Sequence, residues 1–194
     1  AIGNWTEISE FILMSFSSLP TEIQSLLFLT FLTIYLVTLK GNSLIILVTL
    51  ADPMLRSPMY FFLSHLSLVD ICYSSAIIPQ MLAVLWEHGT TISQARCAAQ
   101  FFLFTFFASI DCYLLAIMAY DRFTAICHPL LYHTIISQCL CALLVVTCYT
   151  VSVANSALLT GCIFKLPYCG PNVINHYFCD IPPVLQLAGA DTTG

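Results

Sequence analysis

Four long apolar stretches, separated by short polar segments, dominate the pattern of this chain. Each is longer than the roughly 20 residues that a helix needs to cross a bilayer. Because lipid offers no hydrogen-bond partners, a single segment that crosses it satisfies its own backbone as a helix. The pattern therefore predicts an all-α transmembrane protein, with helices over residues 23–50, 59–85, 95–126 and 139–164.

The segments between these stretches are predicted to be connections. Residues 51–58 form a short turn, and Pro58 suits the start of the next helix, where its missing N–H needs no partner. Residues 86–94 are polar and contain Gly89, so they are interpreted as a loop. Residues 127–138 are interpreted as a loop or a short helix, and residues 165–194 as a long loop without a further apolar run.

The composition agrees with a membrane protein. Hydrophobic residues make up 59% of the 194 residues and charged residues only 8%, against roughly 25% in a soluble domain. Five basic and ten acidic side chains cannot cover the surface of a soluble fold of this length. The composition therefore excludes an ordinary soluble domain, a disordered chain and a nucleic-acid-binding protein.

The orientation of the helices is inferred from a glycosylation sequon. The five basic residues are spread over both sides of the predicted spans, so the positive-inside rule decides little. Asn4 begins the sequence Asn-Trp-Thr in an acidic segment, residues 1–22, and the alternative is a chance match. We therefore expect an extracellular N-terminus and extracellular segments at 86–94 and 165–194. The segments at 51–58 and 127–138 are then cytoplasmic.

Charged residues inside the apolar stretches are candidate functional residues. Lys40 lies within the first stretch, where it costs on the order of 2.5–3.5 kcal/mol unless it snorkels or pairs. Asp70 and Asp111 lie within the second and third stretches. Asp121 and Arg122 end the third and have two interpretations: two charges at a membrane interface, or an ion pair that a partner releases as a switch.

Five motifs, in the right order, resemble those of odorant receptors, a family of rhodopsin-like (class A) G-protein-coupled receptors. Residues 118–130, MAYDRFTAICHPL, closely resemble the family's MAYDRYVAICxPL signature. The other four are Gly41-Asn42, PMYFFL at 58–63, LSLVD at 66–70 and the loop LPYCGPNVINHYFCD at 166–180. The resemblance covers essentially the whole chain. It implies the first four helices of a seven-transmembrane receptor bundle, followed by the second extracellular loop.

The resemblance also implies a function. Such a receptor lies in the plasma membrane as a multi-pass glycoprotein in contact with membrane lipid. It binds small volatile odorants and, at full length, activates a stimulatory olfactory-type G protein. It is not an enzyme, and no cofactor, metal or nucleic acid is expected. The family's fifth to seventh helices complete the pocket and open the G-protein cleft. We therefore expect this 194-residue chain to be a partial receptor that does not signal alone.

Individual roles follow from the resemblance residue by residue. Asp121 and Arg122 match the family's switch for G-protein coupling. Asn42 and Asp70 match its polar pair between the first two helices, a possible sodium site, with a protonated structural acid as the alternative. For Asp111 the resemblance suggests a role in activation.

The cysteines of the extracellular side are also assigned by the resemblance. Cys97 matches the family's bridge to the long loop, with Cys179 as its partner. Gly189 stands where the family has the partner of the residue matched by Cys169, so Cys169 is left without its usual bridge. His176, Cys179 and Asp180 could bind Zn²⁺ or Cu²⁺, although a cysteine held in a disulfide cannot be a thiolate ligand.

One face of the third helix is the predicted wall of the ligand pocket. Ser109 lies about 20 Å along the helix from Arg122, a depth that matches where the family binds ligand. A mostly apolar wall with one or two hydroxyls suits a small volatile molecule, whereas plain helix packing is the alternative. The face consists of Phe104, Thr105, Ala108, Ser109 and Cys112, at helical spacing.

Two other function classes require features that differ from those of a receptor. A complete four-span structural or adhesion protein would need a folded ectodomain after its last span. A membrane enzyme would need a nucleophile beside a base, or a CxxC redox pair. Cys139 and Cys141 are separated by one residue, which is one too few for that pair.

Overall fold

The computed structural model describes residues 10–13, 20–86, 90–164 and 173–174. In this part of the chain, helices are joined by short turns, and three short strands form one sheet. The elements in chain order are β1 (Glu10–Leu13), α1 (Thr21–Ala51), a 3-10 helix (Pro53–Leu55), α2 (Pro58–Trp86), β2 (Thr90–Ser93), α3 (Gln94–Cys127), α4 (Tyr132–Ile135), α5 (Gln138–Phe164) and β3 (Val173–Ile174).

The prediction of a helical membrane protein with four spans is confirmed. The helices α1, α2, α3 and α5 contain 31, 29, 34 and 27 residues. Each is long and apolar enough to cross a membrane, with a mean hydropathy between 1.7 and 2.0 over its most apolar window. Each helix also starts and ends within two residues of the bounds expected from the apolar pattern.

Threonines inside α1 satisfy their hydroxyls within the helix, which suits a lipid environment. Thr30, Thr33, Thr38 and Thr49 each donate a hydrogen bond to the carbonyl four residues earlier, at 2.6 to 2.9 Å. These bonds pair the hydroxyl protons of the four threonines, which would otherwise lack a partner in an apolar solvent. The threonines therefore do not oppose the insertion of α1.

Polar side chains at the ends of the helices fix where they begin. The hydroxyl of Ser93 accepts a hydrogen bond from the N–H of Arg96 (3.4 Å), and that of Ser137 accepts one from Leu140 (3.2 Å). These serines cap α3 and α5. In the turn before α2, the Asp52 carboxylate accepts a hydrogen bond from Met54 N at 2.8 Å. Capping explains why the helices begin at these polar positions.

The chain divides into two compact units, which are described separately. The unit made of Ile34–Ser75 and Phe104–Ser156 contains the larger core. Its core joins α2, α3 and α5, and each of its central side chains is at most 6% exposed. Those side chains are Phe62, Val69, Ile110, Leu114, Ile136, Cys141 and Val145.

The other unit is made of Ala1–Thr33, Ala76–Leu103 and Ala157–Gly194. Its core includes Phe101 of α3 and Ile163 of α5, with the rings of Phe101 and Phe164 6.2 Å apart. The three-stranded sheet lies in this unit. Strand β1 is central, antiparallel to β2 and parallel to β3. The sequence pattern did not predict this sheet.

Candidate functional site

Asp121, near the C-terminal end of α3, is held by a tyrosine of the following short helix. Its side chain is 3% exposed. Its Oδ1 accepts a hydrogen bond of 2.7 Å from the hydroxyl of Tyr132, which is the first residue of α4. This bond connects α4 to the end of α3 and gives the buried carboxylate a donor.

Arg122 is not held in the same way. Its side chain is exposed, and within the described residues it forms no ion pair. Successive residues of a helix are rotated by about 100° from one another, so the neighbours Asp121 and Arg122 face different surroundings. The ion pair considered for these two residues is therefore not formed. Asp121 has Tyr132 as its partner instead, and Arg122 is left accessible.

The environment of Tyr132 keeps its hydroxyl protonated. Burial raises the pKa of Tyr132 to about 12, helped by its hydrogen bond to Asp121 and by that carboxylate's charge, while Arg122 acts in the opposite direction. The tyrosine therefore remains a hydrogen-bond donor over the whole physiological pH range. Sequence reasoning did not assign a role to Tyr132. The sequence feature that could have indicated this role is a tyrosine in the short connection after α3, eleven residues after Asp121.

A second polar group lies within the helices of the same unit. The amide of Asn42 donates to the carbonyl of Thr38 in its own helix, at 3.1 Å. In the described part of the chain it does not bond to Asp70, its predicted partner. The charge of Asp70 acts instead on Asp111 of α3. The structure thus brings the two carboxyl groups near each other.

Asp111 is half-buried in α3. Its Oδ1 is buried without a hydrogen-bond partner among the described residues. Tyr149 of α5 is near enough for the charge of Asp111 to act on its hydroxyl. Electrostatic interactions therefore link Asp70 of α2, Asp111 of α3 and Tyr149 of α5. No cluster of three or more His, Cys, Asp or Glu residues that could hold a metal occurs in the described ranges.

The five residues of the predicted ligand face all lie on α3, and one contact links this face to α5. The hydroxyl of Ser109 donates to the carbonyl of Thr105 (2.7 Å) and accepts a hydrogen bond from the amide of Asn155 (3.4 Å). The ring of Phe104 contacts that of Tyr73 of α2, with centroids 5.5 Å apart. Of the other two residues of this face, Ala108 is half-buried and the Cys112 thiol is exposed and free. Sequence reasoning did not identify Asn155.

Cys97 and Lys40 are the remaining predicted positions that the structure describes. Cys97 is fully buried at the start of α3 and takes part in a disulfide bond. Its partner lies outside the described residues, so the pairing with Cys179 stays a prediction. Lys40 is exposed on α1 and forms no ion pair with any described residue. The other predicted positions lie outside the described residues: Asn4, Cys169, His176, Cys179, Asp180 and Gly189.

Comparison with known proteins identifies the family. A family model described as "Olfactory receptor" matches residues 31–193. Human olfactory receptor 10A5 is 62% identical over 192 residues, 99% of this chain and 61% of that protein. Human olfactory receptor 9Q2 is 60% identical over 189 residues, 97% of this chain and 60% of that protein. Mouse olfactory receptor 5B21 is 49% identical over 192 residues, again covering 60% of the relative.

The chain therefore spans about three fifths of the length of these relatives, and the match extends over nearly all of its own residues. The motifs that resemble odorant receptors thus belong to a similarity that runs through the four helices and the loops between them. The chain belongs to the olfactory receptor family of G-protein-coupled receptors.

Proposed function

We propose that this chain forms the ligand-binding and coupling helices of an odorant receptor that detects small volatile molecules and activates a stimulatory olfactory-type G protein. The observation that supports this most is the arrangement along α3. The face around Ser109 lies about 20 Å from the exposed Arg122 at the other end of the same rigid element. A ligand at one end of α3 and a protein partner at the other can therefore influence each other through this helix.

The ligand end has the chemistry expected of an odorant site. Phe104 and Ala108 supply apolar surface. The Ser109 hydroxyl is fixed by Thr105 and Asn155. Asn155 is exposed and keeps its amide oxygen for a ligand, since only its Nδ2 is used. An apolar wall with one directed polar group favours a small molecule that carries a single hydroxyl or carbonyl.

The coupling end presents a cation. The hydroxyl of Tyr132 gives the buried carboxylate of Asp121 a hydrogen-bond donor, so Arg122 is not needed for that purpose. The guanidinium is thus free to bind backbone carbonyls or a carboxylate of a G protein. With the N-terminus extracellular, this end of α3 faces the cytoplasm, where the G protein is located. The protein then resides in the plasma membrane, and Asn4 is its glycosylation site.

The acids between the two ends suit a monovalent cation. Asp70 and Asp111 are close enough for their charges to interact, and like charges held together favour either a proton or a cation between them. We assign sodium to this position, with oxygen ligands from Asp70 and Asp111 and a smaller contribution from Asn42. A protonated acid in place of the ion is the outcome that would reject the assignment.

The test is a chimeric receptor. Residues 1–194 are joined to the remaining part of human olfactory receptor 10A5, which aligns with this chain at 62% identity. Cyclic AMP is measured in cells exposed to a panel of volatile alcohols, aldehydes and ketones. We expect a response to at least one volatile. It should be lost in Arg122→Ala and shifted to other volatiles in Ser109→Leu, at unchanged surface expression.

The 194-residue chain expressed alone is the matched control, and we expect no response from it, since α3 offers only one wall of a pocket. A cyclic AMP response from this chain alone would contradict that expectation. A chimera that reaches the surface, responds to no volatile, and instead causes cells to adhere would favour the alternative of a four-span structural or adhesion protein. An Arg122→Ala chimera that still signals at wild-type level would remove Arg122 from the coupling mechanism.

A further inference from the structure

A cavity of about 530 Å³ lies where one span ends and two others begin. It is formed by the last turn of α1, the turn that follows it, the first turns of α2 and the start of α5. Because α1 ends at Ala51 while α2 begins at Pro58 and α5 at Gln138, the cavity lies at the depth of the lipid headgroups. The proposed odorant face and the coupling residues do not line it.

The mouth of the cavity is polar and carries a cation. Arg56 is exposed and has no ion-pair partner among the described residues. The acid in the same turn, Asp52, uses its carboxylate to accept a hydrogen bond from Met54 N. Ser57 and Gln138 are exposed beside Arg56 and line the same cavity. The mouth therefore offers one unpaired positive charge and several hydrogen-bond donors.

The rest of the lining is mostly apolar. Leu50 and Phe61 form walls, and Phe61 is positioned by the ring of His65, with centroids 4.8 Å apart. Cys141, a member of the buried core, lines the cavity together with Ala142 of α5. Ser64 also lines it, but its hydroxyl is already bonded to the carbonyl of Phe61 at 2.8 Å. An occupant must therefore combine an anionic polar end with an apolar chain.

We propose that this cavity binds an anionic phospholipid, with the phosphate and carboxylate of its headgroup on Arg56, Ser57 and Gln138 and the start of one acyl chain against Phe61 and Ala142. An anionic lipid is favoured over a zwitterionic one because of its charge. Arg56 repels a positively charged choline group, whereas it attracts the carboxylate of a serine headgroup. The proposal concerns lipid binding and does not depend on odorant recognition. Only the leaflet that supplies the lipid depends on the proposed orientation.

The test uses the full 194-residue chain, purified in detergent micelles and mixed with equal amounts of dioleoylphosphatidylserine and dioleoylphosphatidylcholine. Bound lipids are counted by native mass spectrometry. We expect the wild-type chain to retain phosphatidylserine about fivefold over phosphatidylcholine, the effect of one basic side chain near an anionic lipid. Arg56→Gln should bring the two lipids to equal retention. Arg96→Gln, which removes an exposed cation from the first turn of α3, is the matched control and should keep the preference.

A second pair of variants tests the apolar part. Ala142→Phe fills the cavity and should reduce retention of both phospholipids, whereas Ala154→Phe, at an exposed position of α5 away from the cavity, should not. Circular dichroism of each variant confirms that the helices are intact. An unchanged preference in Arg56→Gln, or an equal loss in Arg96→Gln, would overturn the proposal.

Two further probes separate other occupants. Cholesterol that is bound by the wild-type chain, blocked by Ala142→Phe and insensitive to Arg56→Gln, without any preference for phosphatidylserine, would show a sterol site and reject the phospholipid. Glycerophosphoserine carries the same headgroup without acyl chains. If it displaces phosphatidylserine at equal concentration, the site binds a free phosphate ester rather than a lipid.

Discussion

The hydroxyl of Tyr132 lies 2.7 Å from Oδ1 of Asp121 and holds the short helix α4 against the end of α3. The bond gives the buried carboxylate a donor that Arg122, exposed on another side of the helix, does not supply. The signature motif at the end of α3 is thus completed by a residue outside it. We therefore expect the conformation of the connection between α3 and α5 to depend on this contact.

Removing the phenol hydroxyl should destabilise the chain. Tyr132→Phe leaves the Asp121 carboxylate buried without its donor, which costs about 1–3 kcal/mol. The measurement is the free energy of unfolding in micelles, followed by circular dichroism with denaturant. Tyr120→Phe is the control, because Tyr120 is exposed. Equal stability of the Tyr132→Phe and Tyr120→Phe variants would show that the bond contributes nothing.

The same bond should make stability depend on alkaline pH. The pKa of Tyr132 is raised from 10.0 to about 12 in the folded chain. The folded state therefore holds the phenol proton more tightly than the unfolded state, and the stabilisation is complete below pH 10. It is lost as the pH rises from about 10 to 12. The free energy of unfolding, measured between pH 8 and 12, should fall more steeply for wild type than for Tyr132→Phe. Parallel curves for the two proteins would contradict this.

The four long helices could be predicted from the sequence because the length of an apolar run is a local property. The bond between Tyr132 and Asp121 could not be predicted in this way, since it depends on where the chain places α4 after leaving α3. The same applies to β1, which pairs with β2, and with β3 more than 150 residues further along. Neither pairing produces a periodic pattern within one short strand.

The polar positions inside the spans can be found from the sequence, whereas the groups that they contact cannot. Asn42 was expected to pair with Asp70, yet its amide bonds to Thr38, because a helix carbonyl four residues back is always within reach. Asp111 then becomes the acid on which the charge of Asp70 acts. Which acids meet depends on the rotation of α2 and α3 about their axes, and the sequences of those helices have apolar residues on all sides.

The hydrogen bond between Ser109 and Asn155 should couple α3 to α5 weakly. Ser109→Ala and Asn155→Ala each remove one partner, and the double variant removes both. Interhelical hydrogen bonds in membrane proteins average about 0.6 kcal/mol, and the 3.4 Å length predicts a value at or below this average. A double-mutant cycle on unfolding free energies measures the coupling. Strict additivity would show that the contact carries no energy.

The disulfide of Cys97 provides a test of its predicted partner. If Cys179 is that partner, then Cys97→Ala, Cys179→Ala and the double variant should all lose the same stability. The loss is expected to be about 2–4 kcal/mol. Unfolding under non-reducing conditions is the measurement. Cys169→Ala is the matched control and should behave as wild type; a loss in that variant, with none in Cys179→Ala, would reassign the bridge.

The pair Asp70 and Asp111 should make the stability of the chain depend on sodium. In wild type, replacing choline chloride by sodium chloride at constant ionic strength should raise the unfolding temperature, because a bound cation relieves the repulsion between the two carboxylates. Asp111→Asn removes that repulsion and leaves an uncharged, buried amide. This variant should be more stable than wild type in choline chloride and insensitive to sodium, as should Asp70→Asn. Glu22→Gln, at the exposed start of α1, is the control and should keep the wild-type response. If the unfolding temperature of wild type is the same in both salts, and Asp111→Asn is no more stable than wild type, then Asp111 is protonated and the sodium assignment is wrong.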